Sequence, residues 1–331
     1  MQMYNHYEIA NLPDSDLRDI FLQVSSEMNL PPSLVEKDFW VSLMLKYLYS
    51  DSPWKHRLLF KGGTSLSKCY GAIHRFSEDI DLLLDWCELG YPEEGPEEEK
   101  TRKKQEQSND QLIIKTKRFL LEQMQPRMKS DLDKILKKEY EIETIGTSIV
   151  FRYPRTFDAS AIKNEILVEI GPRGLWGRPV SRNIQSYVAE RLPILCEEQI
   201  CVQTLSLERT FCEKLVILHT VACREKVPER YSRHYYDVSC IHRYSRLSLN
   251  LDLIKEIAES KSRFFPGASY GYDLASEGIL KLIPPDSVHS ALRKDYNSMA
   301  DMIFGNPPDF DDILKDISEL ETELNQVRPR P

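Results

Sequence analysis

Residues 60–82 read Phe-Lys-Gly-Gly-Thr-Ser-Leu-Ser-Lys-Cys-Tyr-Gly-Ala-Ile-His-Arg-Phe-Ser-Glu-Asp-Ile-Asp-Leu. An apolar run, Leu58-Leu59-Phe60, leads into the Gly62-Gly63 turn, and a second, Leu82-Leu83-Leu84, leaves Asp79-Ile80-Asp81. Fifteen residues separate Gly63 from Asp79. The local layout is a strand over 57–61, a glycine turn, a helix over 64–72 and a strand over 79–85. Glycines let a backbone approach a phosphate closely, and the N–H groups of a helix start favour anions. Lys61, Gly62, Gly63, Thr64 and Ser65 are therefore candidate nucleotide-binding residues, with the amides and hydroxyls of Gly63 to Ser65 on the triphosphate. The same turn could equally be a plain strand-to-helix connection with Thr64 or Ser65 as the N-cap.

Asp79 and Asp81 are spaced i and i+2, which on a strand puts both carboxylates on one face, where they can share hard cations such as Mg²⁺. Their neighbours Ile80, Leu82, Leu83 and Leu84 imply a largely buried strand. Two acids close together near a core are costly unless a cation compensates them. A two-metal phosphoryl-transfer site usually has a further carboxylate on a neighbouring strand. Glu169, in Ile166-Leu167-Val168-Glu169-Ile170, is the candidate, Glu165 is its same-face competitor, and Asp158 sits in a loop.

The 331 residues suffice for a sizeable core, in two domains or in one with an appendage. At 41% apolar, 29% charged and 10% aromatic the composition is that of a soluble globular protein. With a formal net charge of −8, a nucleic-acid partner would need a local basic face. No apolar run approaches the roughly 18 residues of a membrane span, and the N-terminus has no secretory pattern. Seven scattered cysteines without Cys-x-x-Cys favour reduced thiols in the cytoplasm over a disulfide or zinc framework. Walker A and Rossmann glycine patterns, a Gly-x-Ser-x-Gly elbow and His-x-x-x-His spacing are all absent.

Leu17, Ile20, Phe21 and Val24 recur at helical spacing over 14–28. Pro31-Pro32 interrupts, and Ser33 is placed to cap a helix over 33–49. Residues 88–110, acidic then basic, read as an exposed loop or a partly ordered insertion. A helix over 111–138, strands over 140–152 and 163–171, and helices over 206–223, 233–244, 252–262, 286–303 and 309–326 complete the reading. The expected class is α+β: a domain over 1–195 that carries the glycine turn and the acid pair, with a mixed sheet flanked by helices, and a mainly helical domain over 196–331.

The runs Phe60–Leu66 and Arg75–Leu82 resemble the AbiEii/AbiGii toxin family of nucleotidyltransferases, which includes the MenT toxins. That family belongs to the DNA polymerase β-like superfamily, whose signature is a Gly-Gly or Gly-Ser turn followed by Asp-x-Asp. Val35–Val41 is similar to the family's N-terminal helix. Leu207–Leu215 resembles its lysine-bearing helix, and Arg233–Val238 its Arg-x-x-x-Asp segment. The matching segments run from about residue 35 to 240.

The resemblance implies a polymerase β-like core and assigns Lys214 to the nucleotide phosphates and Asp237 to an acidic role needed for activity. On residue spacing alone, Lys214 is an ordinary snorkelling lysine and Arg233 with Asp237 an i,i+4 surface pair. Two Mg²⁺ ions, an NTP donor, an RNA acceptor such as a tRNA 3′ end and a companion antitoxin are what the resemblance implies. Transfer to a small molecule or a protein, or nucleotide binding without turnover, stay open as alternatives. Arg224, Lys226, Arg230, Arg233, Arg243 and Arg246 lie among Tyr231, Tyr235, Tyr236 and Tyr244. That suits RNA phosphates and bases as well as it suits a solvated helix with tyrosines in its core, diluted by Glu225, Glu229 and Asp237.

Overall fold

The two apolar runs that flank the glycine turn lie side by side as antiparallel strands, Leu58 opposite Leu84 and Lys61 opposite Asp81. The computed structural model describes residues 3–157, 163–224, 226–245, 247, 249–267 and 270–327. Asp158, Glu225 and Arg246 lie outside the described residues. The chain divides into two compact units: 1–69, 78–97 and 110–204 form the first, and 70–77, 98–109 and 205–331 the second. The class is α+β, as expected, and among the described residues no helix is long and apolar enough to cross a membrane.

In the first unit α1 (His6–Ala10), α2 (Asp14–Met28) and α3 (Pro32–Lys46) precede β1 (Leu58–Lys61), α4 (Gly62–Lys68) and β2 (Ile80–Leu84). There follow α5 (Arg102–Phe119, residues 110–119 in this unit), α6 (Gln125–Ile135), β3 (Glu141–Ile145), β4 (Ser148–Arg152), β5 (Glu165–Gly171), β6 (Val180–Ile184), α7 (Tyr187–Arg191) and β7 (Ile200–Thr204). Among the described residues the seven strands make one mixed sheet in the order β3-β4-β5-β2-β1-β7-β6, with β1 parallel to β7 and β2 parallel to β5.

Alternation along the strands gives the sheet two unlike faces. One carries Phe60, Leu82, Ile170, Val168 and Phe151, all buried, and α3 packs near β5 and β7. Burying each such side chain contributes roughly 1.5–3 kcal/mol. A one-residue slip of any strand would turn this apolar set to the other face, so the core holds the register that the polar face depends on. On that other face stand Lys61, Asp81 and Glu169.

Several elements differ from expectation. Ser33 is not the cap of α3; Pro31 takes that position and Pro32 the first helical one, where its missing N–H is no loss. The α-helix ends at Lys46 and passes into a π-helical turn over Tyr47–Asp51. Residues 140–152 are a hairpin turning at Gly146, whose φ of +64° suits glycine. The strands β6 and β7 and the helix α7 had no counterpart in the sequence reading.

The second unit contains α8 (Leu207–Ala222), α9 (Ser232–Ser245), α10 (Leu251–Phe264), α11 (Tyr272–Ser276), α12 (Asp286–Ser298) and α13 (Phe310–Val327). Residues 102–109, the start of α5, belong here and are helical, where an exposed loop or a partly ordered insertion was expected over 88–110. Their inward positions are Gln105 and Asn109, both buried. Gln105 Nε2 donates to Asn109 Oδ1 at 3.0 Å, and Asn109 Nδ2 donates to the Arg263 carbonyl at 2.9 Å. Amide side chains with full partners can occupy an interior face that apolar periodicity does not reveal.

Candidate active site

The site grows from one register row. Lys61 on β1 faces Asp81 on β2, Asp81 faces Glu169 on β5, and Glu169 faces Ser148 on β4. Paired residues share a face, so the sheet itself gathers a lysine and two carboxylates from segments far apart in sequence. Asp79 lies two residues before Asp81, next to the start of β2. The Lys61 stem runs beside Gly171: a methyl group added there would lie 3.9 Å from Lys61 Cε.

Glu169 carries the clearest electrostatic mark. Its carboxyl is pushed up to about 7, first by partial burial, then by the Asp81 charge, a hydrogen bond with Asp81 and the Asp79 charge, with Lys61 opposing. Like charges crowded on one face raise a carboxyl in this way, and a cation among them relieves it. Two carboxylates at i and i+2 with a third across the strand pair are hard oxygen donors, the set that Mg²⁺ takes. Glu165, the competing acid, is engaged elsewhere, with Arg152 Nε at 3.6 Å and Lys163 Nζ at 3.4 Å.

The glycine turn is shaped for Asp81. Gly62 has φ +82°, and a Cβ built there would meet Asp81 Oδ2 at 1.9 Å. Only glycine combines that backbone angle with so close an approach. Gly62→Ala is expected to push the Asp81 carboxylate aside and, with Asp81 as a metal ligand, to lower kcat on the order of 10²-fold, because a misplacement of about 1 Å can cost that much. Turnover measured beside a thermal melt checks this; wild-type turnover in a folded Gly62→Ala protein would contradict it.

The hydroxyls of the turn serve the fold. Thr64 Oγ1 donates to the Asp79 carbonyl at 2.6 Å, tying α4 to the entrance of β2, and Ser65 Oγ donates to the Gly62 carbonyl at 3.0 Å. Both side chains are buried. Lys61 is the N-cap residue of α4 and provides no side-chain cap. The amides, more than the hydroxyls, fit the anion-binding part expected of Gly63, Thr64 and Ser65.

Lys214 and Asp237 belong to the second unit, where they meet. Asp237 is fully buried and accepts from Arg75 Nε at 2.8 Å, Arg75 Nη2 at 2.9 Å and Lys214 Nζ at 2.8 Å. Burial alone would raise the Asp237 carboxyl, but the charges of Arg75 and Lys214 outweigh it and hold it well below the usual carboxylate range. His234 Nδ1 lies 3.3 Å from Lys214 Nζ, and burial, then the Lys214 and Arg233 charges, keep His234 neutral. Lys214 is thus no snorkelling surface lysine, and Asp237 is no surface acid. Sequence reasoning gave no role to Arg75; its one signal was a lone cation in the mostly apolar stretch Ala72–Phe76.

The basic and aromatic stretch divides. Tyr235 and Tyr236 are buried core residues that cannot stack on bases, whereas Tyr244 is 69% exposed. Arg224 lies 3.7 Å from the centroid of the Tyr270 ring, and Arg243 pairs with Asp316 at 2.6 Å. Among the described residues, the trio whose ligand-type atoms all lie within 4.8 Å of one another is His6, Cys196 and Glu198 in the first unit. There Glu198 is engaged by His6 Nδ1 at 2.6 Å, by the His6 backbone N–H at 2.9 Å and by Lys46, a hydrogen-bonded tie for α1.

A family model described as nucleotidyl transferase AbiEii toxin, type IV TA system, matches residues 44–316. The match begins after the Val35–Val41 segment and runs well beyond Asp237. Among solved structures, the MenT4 nucleotidyltransferase toxin of Mycobacterium tuberculosis H37Rv is similar at 14% identity, with a TM-score of 0.43 over 93% of this chain and 99% of that one. No curated protein matches the sequence.

Proposed function

The chain belongs to the AbiEii family of nucleotidyltransferase toxins of type IV toxin–antitoxin systems, and from that premise we propose that it transfers a nucleoside monophosphate from an NTP to an RNA hydroxyl, at a tRNA 3′ end, with Asp79, Asp81 and Glu169 holding two Mg²⁺ ions. Membership brings a nucleotide substrate and an antitoxin partner. The observation that carries the residue assignment is the register of Asp81 with Glu169, together with the elevated Glu169 carboxyl.

Bound at these acids, the ions would offset their charge and polarise the phosphoryl oxygens. The chain's own groups do the rest. The first amides of α4, at Gly63, Thr64 and Ser65, take the outer phosphates, and Lys61 balances charge beside Asp81. Glu169, once ionised, is the group that draws the proton from the acceptor hydroxyl. Lys214, which the family resemblance assigns to the nucleotide phosphates, has its ammonium oriented by Asp237. Holding the acceptor oxygen in line with the α-phosphate and stabilising charge there would supply most of the acceleration.

A pH dependence follows. Below about 7 Glu169 keeps its proton and is a poor ligand, so the Mg²⁺ concentration for half-maximal activity should rise about tenfold from pH 8 to pH 6. Steady-state rates over a Mg²⁺ titration at each pH check this, and a midpoint unchanged between pH 8 and pH 6 would contradict it. In the metal-free protein the sign of the stability effect is opposite to that of an ordinary ion-paired acid. Folded Glu169 binds its proton more tightly than the unfolded chain does, so its contribution is lost as pH rises from the usual carboxylate range through about 7.

Incubating the protein with Mg²⁺, each α-labelled NTP in turn and total bacterial RNA tests the reading. Label in an RNA band, absent with Asp79→Asn, is the expected result. Label confined to free nucleotide with all four NTPs would overturn the RNA assignment and turn attention to a small-molecule or protein acceptor, or to binding without turnover.

A further inference from the structure

Helix α3 carries three consecutive charged residues, Glu36, Lys37 and Asp38, and all three are buried. Each is used on a different part of the first unit. Glu36 accepts from the backbone amides of Thr156 at 2.6 Å and Phe157 at 3.3 Å. Asp38 pairs with Lys68 of α4 at 2.6 Å and accepts from the Tyr187 amide at 2.8 Å. Lys37, only 2% exposed, places its Nζ 2.5 Å from Glu78 Oε2 and 3.0 Å from the Lys163 carbonyl.

The position of those two partners gives Lys37 its meaning. Glu78 immediately precedes Asp79 at the entrance of β2, and Lys163 stands two residues before the first residue of β5. One ammonium therefore binds the entrances of both strands that carry the acids. These strands are parallel, and residues 85–164 lie between them, so no tight turn fixes their register. A slip of one residue would carry Glu169 to the opposite face.

We propose that Lys37 is a positioning residue for the acid row: by holding Glu78 and the Lys163 carbonyl on a single Nζ, it aligns Asp79 and Asp81 with Glu169. This rests on the reading of those three acids as metal ligands. Lys37 touches no substrate in this scheme. It acts through Glu78 and the backbone, as the outer partners of a metal ligand do.

The test measures Mn²⁺ binding directly, by the loss of its free-ion paramagnetic resonance signal, alongside thermal unfolding and kcat. The proteins are wild type, Asp81→Asn, Lys37→Met and Lys37→Met with Glu78→Gln. Wild type should bind Mn²⁺ and Asp81→Asn should not. Lys37→Met leaves Glu78 without its cation and should be less stable, whereas the double variant removes both charges and should regain most of that stability. In the double variant Mn²⁺ should still bind at least about tenfold more weakly than in wild type, with a lower kcat. A stable double variant with wild-type Mn²⁺ affinity and kcat would make Lys37 a structural residue only and overturn the inference. Wild-type protein that binds no Mn²⁺, or binds it equally after Asp81→Asn, would instead overturn the ligand reading, and the inference with it.

Discussion

Asp81→Asn is expected to cut nucleotidyl transfer by at least about 10³-fold while leaving the protein folded. Asp81 is the centre of the polar row, with Lys61 on one side and Glu169 on the other. The variant keeps the shape of the side chain and removes the charge a cation needs. It also removes one cause of the elevated Glu169 carboxyl, which should fall back toward the usual range. The metal-free variant should thus melt at or slightly above the wild-type temperature, while the stabilisation that Mg²⁺ gives to wild type disappears. A steady-state assay and a melt with and without Mg²⁺ read both effects. A variant that unfolds would point to a structural role for Asp81, and one that keeps its activity would remove it from the site.

Asp237→Ala is expected to have the largest effect on stability. The carboxylate is fully buried and is bonded by both Arg75 and Lys214. Its removal leaves two buried cations without their shared anion, and breaking a buried pair in this way costs about 3–5 kcal/mol. For a protein of this size the melting temperature should drop by roughly 10 °C. Lys214→Met should cost much less, because Asp237 keeps its two bonds from Arg75 and the methionine stem fills the buried path of the lysine. The contrast matters for function. A folded Lys214→Met protein without activity would support the phosphate role, since lost stability could not explain the loss. A melting temperature for Asp237→Ala within a degree or two of wild type would show that the network contributes little.

The glycine turn, the Asp79 and Asp81 pair and the strands around them were legible because each is a local pattern: two acids at alternate positions, flanked by Ile80 and Leu82 to Leu84. Glu169 was preferred to Glu165 as the one acid near the end of an apolar strand, but its place opposite Asp81 was not legible, because that depends on a parallel register across residues 85–164 that no local pattern specifies. Arg75 was opaque for a similar reason, its partner Asp237 being 162 residues away in sequence. The strands β6 and β7, Val-Ser-Arg-Asn-Ile and Ile-Cys-Val-Gln-Thr, escaped notice because their outward positions are polar and β6 is an edge strand. Gln105 and Asn109 concealed a helix start by placing amides where apolar residues were sought. Tyr235 and Tyr236 went the other way: side chains that could have stacked on bases are used to build the core.

The most direct measurement compares α-labelled with γ-labelled NTP, using purified protein, Mg²⁺ and RNA, for wild type and Asp81→Asn. Nucleotidyl transfer at the Asp79, Asp81 and Glu169 row predicts that the α label becomes covalently attached to RNA and the γ label leaves as pyrophosphate. Both should be absent with Asp81→Asn. Entry of the γ label into the acceptor, or α-label transfer undiminished in Asp81→Asn, would contradict it.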